Sequence, residues 1–202
     1  MKHASTRALF EYWNQRRGRR RAPARADIEP ADIRHILGDT FLLSADFAEE
    51  IRFRLAGTRI CALFTREIKG EAFNNLWDEN SRLNSKELLA CVLDENVGAV
   101  VGVLGHSDEG APVELELLLL PLAFDRRSRV RVLGAMAPLT PPYWLGEQPV
   151  IDLELRTLRH VGSDHFKLGA SEFGRPNDEP QTKHGFLVYS GGRKLGPDQQ
   201  TG

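Results

Sequence analysis

The chain has few cysteines, no long hydrophobic run and almost no net charge. Its 202 residues include two cysteines, Cys61 and Cys91, too few for a disulfide framework and without a paired metal-binding motif. Its longest apolar stretches, 97–104 and 115–124, fall far short of the roughly 20 residues that a membrane helix needs. The 27 basic and 28 acidic side chains nearly cancel, which excludes a highly charged nucleic-acid packaging protein. We therefore expect a cytoplasmic protein with no membrane span.

The remaining composition is that of a globular domain with polar extensions. Hydrophobic residues make up 41% of the chain and charged residues 27%, which is enough apolar material for a core. The pattern divides the chain into 1–25, an amphipathic helix with an arginine-rich link, 26–160, one folded domain, and 161–202, a polar tail. For the tail we expect a largely disordered segment because it is rich in glycine and polar residues.

Hydrophobic periodicity predicts strands at both ends of the domain and helices between them. The predicted order is strands at 40–47 and 51–56, short helices between 57 and 77, a longer helix from about 81, and strands at 97–106, 113–122 and 130–139. A further alternating segment follows at 150–158. Turn sequences between the last three strands indicate successive hairpins, and hence an antiparallel meander.

This order of elements resembles that of a PAS domain. Four segments look like a family of stand-alone PAS-like proteins common in alphaproteobacteria: LFEYW (9–13), ADIEP (26–30), FRLAGT (53–58) and LFTRE (63–67). The resemblance spans about residues 5–160. It implies an α+β fold, with a five-stranded antiparallel sheet and helices over one face, plus the N-terminal helix and the C-terminal extension. It also implies a sensory or adaptor protein in bacterial signalling, with a signalling protein as partner and no set of catalytic residues.

A ligand cleft is predicted from the inward faces of the strands and the apolar stripes of the helices. Its lining would be Phe53, Leu55, Ile60, Phe64, Phe73, Trp77, Leu117, Leu119, Gly134 and Met136. These residues would either surround a small apolar or amphipathic ligand or simply fill the core. The pattern does not specify a cofactor. If the cleft is open, a leucine in place of Gly134 should block it without loss of the fold.

Two features lie outside this minimal domain. Leu9, Phe10 and Trp13 form one face of the helix predicted at 5–17, and these side chains need a surface on which to bury. That surface is either a second copy of the chain, as in a homodimer, or the protein's own sheet.

The arginine run follows this helix, with six arginines in ten residues: Arg16, Arg17, Arg19, Arg20, Arg21 and Arg25. It is either a solvated linker or a patch for an acidic protein, a phosphate or an anionic membrane face. The alternative function for the whole chain is therefore a nucleotide- or nucleic-acid-binding regulator that uses this segment.

Catalytic and metal-binding patterns are not found. Cys61 lacks the neighbouring residues of the flavin-reactive cysteine in light-sensing PAS relatives, and the six histidines are scattered without metal-ligand spacing. Glu114 and Glu116 alternate with apolar residues, which predicts that both face water. The sequence contains neither a GxSxG nor a GxxxxGK[ST] motif. We therefore predict a protein that is not an enzyme.

Overall fold

Three α-helices and eight strands make up the computed structural model, which describes residues 1–45, 50–108, 110, 112–123, 129–162, 181–183 and 186–188. The helices are α1 (Ala4–Arg17), α2 (Thr58–Phe64) and α3 (Glu79–Glu95). The strands are β1 (Thr40–Ala45), β2 (Ile51–Ala56), β3 (Gly98–His106), β4 (Val113–Pro121), β5 (Val130–Pro138), β6 (Asp152–Val161), β7 (Gln181–Lys183) and β8 (Phe186–Val188). Short 3-10 turns lie at Arg25–Asp27, Pro30–Ile33, Leu37–Asp39 and Phe73–Leu76.

All eight strands join one sheet in the order β2-β1-β5-β4-β3-β6-β8-β7. The first six strands pair antiparallel throughout, which confirms the predicted α+β fold with its antiparallel sheet. The sheet is larger than the five strands predicted, because β6 pairs with β3 from Asp152 to Val161. The alternating segment at 150–158 is therefore a strand of the same sheet.

Both faces of the sheet are covered. One face carries what we call the inner core, which is built under α2 and α3 and includes Phe41, Phe53, Phe73 and Trp77. The other face carries the outer core, in which α1 and the turns before β1 pack on the sheet. Its buried members are Leu9, Trp13, Ala22, Ile28, Ile33, Ile36, Leu42, Val100, Leu118, Leu120, Leu122, Leu133 and Ala135. α1 thus lies over one face of the sheet, and α2 and α3 lie over the other. The sequence predicted that the helices of the domain cover one face and left the position of the N-terminal helix open.

The N-terminal helix forms where the sequence predicts it. Its start is capped by His3, whose Nδ1 accepts a hydrogen bond from the Ser5 N–H at 3.1 Å. Its end falls at Gly18, which has a φ of 56° that favours glycine. The buried Trp13 indole donates from Nε1 to the carbonyl oxygen of Pro121 at 2.8 Å. The helix is therefore fixed to the end of β4 by both apolar packing and a buried hydrogen bond.

The prediction of a disordered tail at 161–202 lies largely outside the described residues. Within that range, β8 meets β6 in parallel at Leu158 and Val188, and β7 pairs antiparallel with β8. Among the described residues, no helix is both long and apolar enough to cross a bilayer.

Candidate functional site

Most of the residues predicted to line a cleft lie together in the inner core. The side chains of Phe53, Ile60, Phe64, Phe73, Trp77, Leu117, Leu119 and Met136 are at most 1% exposed there. Aromatic rings run through the cluster in sequence, with centroid separations of 5.4 Å for Phe41 and Phe53, 5.9 Å for Phe53 and Phe73, and 5.6 Å for Phe73 and Trp77. These spacings are those of rings in contact. The side chains therefore occupy the middle of the fold, where the ligand was expected.

Leu55 does not belong to this cluster, since its side chain is 51% exposed. The cause is an irregularity in the pairing of β1 with β2, where Leu42 pairs with Leu55 and Leu43 pairs with Phe53. Arg54 is the extra residue, and a bulge of this kind reverses the alternation of the strand. The prediction that Leu55 points inward is wrong because strict alternation does not continue past Phe53.

Gly134 does not open a space for a ligand in the inner core. A Cβ at this position would lie 2.1 Å from Cζ of Phe41 and 2.7 Å from the carbonyl oxygen of Leu118. The glycine is needed because the Phe41 ring lies directly over the backbone of β5. The expectation that a leucine at position 134 leaves the fold intact is therefore wrong.

Glu116 is buried instead of facing water, with 5% of its surface exposed. Its carboxylate accepts hydrogen bonds from the backbone N–H of Lys2 at 2.7 Å, from that of His3 at 2.9 Å and from the hydroxyl of Thr6. The prediction failed because α1 covers this face of β4; Glu114, on the same strand face, is exposed as predicted. Glu116 thus ties the start of α1 to the middle of the sheet.

Asp39 holds the same end of α1 from a second direction. It is 3% exposed, and its Oδ2 accepts a hydrogen bond from the Ser5 hydroxyl at 2.6 Å. Arg59 on α2 donates to it from Nε to Oδ1 at 2.6 Å and from Nη2 to Oδ2 at 2.8 Å. We call Glu116 and Asp39, with the donors that bind them, the α1 anchor.

Both anchor carboxylates are held in the charged form. Burial raises the pKa of Glu116, but the hydrogen bonds from Thr6, Lys2 and His3 outweigh burial and leave the pKa below its usual value. Burial likewise raises the pKa of Asp39, and the bonds from Arg59 and Ser5 bring it below the usual value. The same pairing raises the pKa of Arg59. The anchor is therefore an ionised structure at neutral pH.

A groove of about 250 Å³ opens beside this anchor. Its walls are His3, Asp39, Arg59, Met136, Pro138, Pro141 and Leu145, and we call it the Arg59 groove. The Arg59 side chain is 55% exposed, and its Nη1 makes no hydrogen bond to any residue that the structure describes. Gly38 permits this position, since a Cβ there would lie 2.9 Å from Cζ of Arg59. Sequence reasoning missed the groove because its polar residues come from separate elements.

The arginine run is partly engaged by the protein itself. Arg16 forms an ion pair with Asp32, and Arg20 Nη1 lies 2.8 Å from Asp27 Oδ2. Arg17 stacks over the Trp13 ring at 5.3 Å, and Arg25 Nη1 donates to the carbonyl oxygen of Ile28 at 3.1 Å. Arg19 and Arg21 are exposed and have no ion pair with another described residue. Fewer than six arginines of the run are thus available to a partner.

The aromatic face of α1 is used within the chain. Leu9 and Trp13 are fully buried in the outer core. Phe10 is partly buried, and its ring stacks on that of Trp13 at 6.2 Å. Of the two surfaces considered for this helix, the structure shows the protein's own sheet.

The described residues contain no cluster of three or more histidine, cysteine, aspartate or glutamate side chains that could hold a metal ion. The two cysteines are free and partly buried. Burial raises the pKa of the Cys61 thiol, and burial followed by the nearby Glu95 raises that of Cys91 to about 11. Both are therefore protonated at neutral pH and weak nucleophiles.

Comparison with known proteins gives one family assignment. No curated protein matches the chain. A solved light-oxygen-voltage domain studied with a flavin analogue is 14% identical, with a TM-score of 0.43 over 55% of this chain and 85% of that one. The PAS domain of a protein from Colwellia psychrerythraea is also 14% identical, with a TM-score of 0.37 over 55% of this chain and 97% of that one. The family model described as PAS domain matches residues 1–137, from the N-terminal helix through almost all of β5. By that match the chain belongs to the PAS domain family.

Proposed function

We propose that this chain is a cytoplasmic sensory or adaptor domain of bacterial signalling that binds a small ligand or a protein partner without catalysis. Membership of the PAS domain family supports a sensory role. The free, protonated thiols of Cys61 and Cys91 suit a reducing compartment. Because aromatic side chains fill the inner core, the ligand site that we propose is the Arg59 groove.

The observation that carries this proposal is the position of Arg59 between the groove and the N-terminal helix. Its guanidinium contacts Asp39, and Asp39 accepts a hydrogen bond from Ser5 in the first turn of α1. A ligand that binds Arg59 therefore acts on a group that holds the helix. Such a link from a binding site to a helix is what a sensor requires, since a ligand shifts a conformational equilibrium only by contacts that differ between the two states.

The lining of the groove defines the class of ligand. Met136, Pro138 and Leu145 supply an apolar wall, and the exposed edge of Arg59 supplies donors for a carboxylate or another acceptor. The groove is smaller than the roughly 300–1,000 Å³ of pockets for drug-sized molecules. We therefore expect a small amphipathic molecule with an acidic group at one end, such as a short-chain carboxylic acid.

Native mass spectrometry of freshly purified protein first shows whether a molecule co-purifies with the chain. Protein NMR then measures the binding of short-chain carboxylates. We expect the wild type to show saturable shifts at groove residues. Arg59→Gln should lose them, and Arg54→Gln, which changes an exposed arginine on β2, should keep them. Binding that survives Arg59→Gln but is lost in Phe73→Leu would place the ligand in the inner core instead. If no carboxylate and no co-purified molecule binds, the groove is not a ligand site.

A partner surface at the arginine run is a second candidate, supported by the exposure of Arg19 and Arg21. Two exposed guanidinium groups just after α1 favour an acidic protein segment over a nucleic acid, because a nucleic acid is normally bound through many phosphate contacts. If a homodimer forms, it must use a surface other than Leu9 and Trp13, since both are buried within the chain.

A further inference from the structure

The bonds that hold the start of α1 converge on its first residues. Glu116 binds Lys2, His3 and Thr6, and Asp39 binds Ser5. All of these donors belong to the segment that precedes or forms the first turn of the helix. The buried hydrogen bond near the other end is the single one from Trp13 to Pro121. Bonds to two buried carboxylates thus hold the start of α1, while the rest of the helix is held by the packing of Leu9 and Trp13 and by the exposed pair of Arg16 with Asp32.

The inner core is complete without the N-terminal segment. All its members lie at Phe41 or later, whereas every buried apolar residue described before Phe41 belongs to the outer core. Residues 1–39, all of which the structure describes, form no strand of the sheet. Removal of α1 therefore takes no residue from the inner core and no strand from the β1–β6 ladder. It uncovers Leu118, Leu120 and Leu133 on the outer face of the sheet.

From these two observations we infer that α1 is a releasable cover over the outer face of the sheet, and that Glu116 is its latch. Loss of the negative charge at Glu116 shifts residues 1–17 toward release, against the packing of Leu9 and Trp13, while the sheet and the inner core stay folded. The carboxylate has this role because it accepts three separate donors from the segment, and hydrogen bonds to a buried charged acceptor are stronger than those to a neutral one. Glutamine has the same shape without the charge, and its amide NH2 group would face the N–H and O–H donors of the segment.

Other charges around the anchor determine how release depends on pH. The amino group of Met1 acts on Glu116, and Arg7 on α1 and Arg159 on β6, which are permanently charged, act in turn on that amino group. On the Asp39 side, Arg59 from α2 and His3 favour the ionised carboxylate. The positive charges of the Met1 amino group and of Arg59 oppose protonation of the two carboxylates. Release by acid therefore begins only below the ordinary pKa of a glutamate and is complete below the lowered value.

Hydrogen exchange of the full chain, read by mass spectrometry, tests the latch. Glu116→Gln should raise exchange of the amides in residues 4–17 about tenfold to a hundredfold, as expected for the loss of one charged hydrogen-bond acceptor. Amides in β3 and β4 should keep their protection. Glu114→Gln is the matched control, because it makes the same change on the same strand face at an exposed position. It should match the wild type.

Two results would overturn the inference. One is unchanged exchange in residues 4–17 of Glu116→Gln. The other is equal loss of protection in α1 and in β3 and β4, which would make Glu116 a group that stabilises the whole fold. If Glu116→Gln does not fold, the wild type answers the same question in a pH series corrected for intrinsic exchange. The latch requires α1 to lose protection at a higher pH than β3 and β4, and simultaneous loss refutes it.

Discussion

Asp39 and Arg59 are 20 residues apart in the chain and form a two-pronged ion pair, from Nε to Oδ1 at 2.6 Å and from Nη2 to Oδ2 at 2.8 Å. The pair joins the turn before β1 to α2, while the Ser5 hydroxyl joins the same carboxylate to α1. Gly57, which begins α2, packs so closely on this turn that a Cβ would lie 2.2 Å from the carbonyl oxygen of Leu37. One carboxylate thus connects three separate segments at the edge of the groove.

Replacement of Arg59 by lysine should weaken this junction, because an ammonium group cannot reproduce the planar fork. We expect the free energy of unfolding to fall by about 1 kcal/mol or less, since the guanidinium is more than half exposed and solvent screens the pair. Urea denaturation at pH 7 measures the change. Arg54→Lys, at an exposed position on β2, should show no loss, and equal losses in both variants would contradict the role given to the pair.

Stability should decline in acid because of the two anchor carboxylates. Their pKa values are lowered by folding, so their contribution is fully present above the ordinary values of about 4. It is lost as the pH falls through the lowered values. Urea denaturation between pH 7 and pH 3 should show this decline in the wild type. The slope should be smaller in Asp39→Asn and in Glu116→Gln; an unchanged slope in both would mean that other groups cause it.

Gly134→Ala should destabilise the fold by about 1–3 kcal/mol, because the added Cβ meets the ring of Phe41 and overpacks the inner core. The double variant with Phe41→Leu should recover part of this loss, since the smaller side chain leaves room for the methyl group. Thermal or urea unfolding of the four proteins of the cycle measures the coupling. Additive losses would show that Phe41 is not the residue that Gly134 accommodates.

Trp13→Ala should lower the free energy of unfolding by about 3–5 kcal/mol, since it removes a fully buried indole and its hydrogen bond to Pro121. The oligomeric state measured by light scattering should not change, because Trp13 packs on its own sheet. Phe10→Ala, at a partly buried position, should cost less. Dissociation of an oligomer by Trp13→Ala would instead support a dimer through this helix.

Alanine at both Arg19 and Arg21 should leave the melting temperature unchanged, because neither side chain has an ion pair with a described residue. If the run binds an acidic partner, this variant loses the binding, and raising the salt concentration weakens it in the wild type. Arg16→Ala with Arg20→Ala is the comparison, since it breaks the pairs with Asp32 and Asp27. Binding to acidic peptides that the Arg19 and Arg21 changes do not affect would show that these two arginines are not the partner surface.

The sequence by itself determined the elements and their order, because these depend on local periodicity. Apolar spacing predicted α1 to within a residue, and alternation with turn residues predicted the strands from β1 to β6. The segments LFEYW and FRLAGT carried the resemblance to PAS-like proteins, and the family match confirms it. Eight of the residues expected around the cleft lie in the inner core, four on strands and four between 60 and 77, since the side chains on one face of a strand or one stripe of a helix share the same environment.

Only the tertiary structure decided what covers the second face of the sheet. Alternation shows that β4 has two faces, but Glu116 is buried because α1, more than a hundred residues earlier, lies over it. The extra residue Arg54 turns the side chain of Leu55 to the opposite face of β2. The alternating sequence pattern does not indicate where such a bulge occurs. The pair of Asp39 and Arg59 and the groove beside it arise where α1, α2 and β5 meet. Such a site depends on distances between segments far apart in the chain, and local periodicity contains no information about them.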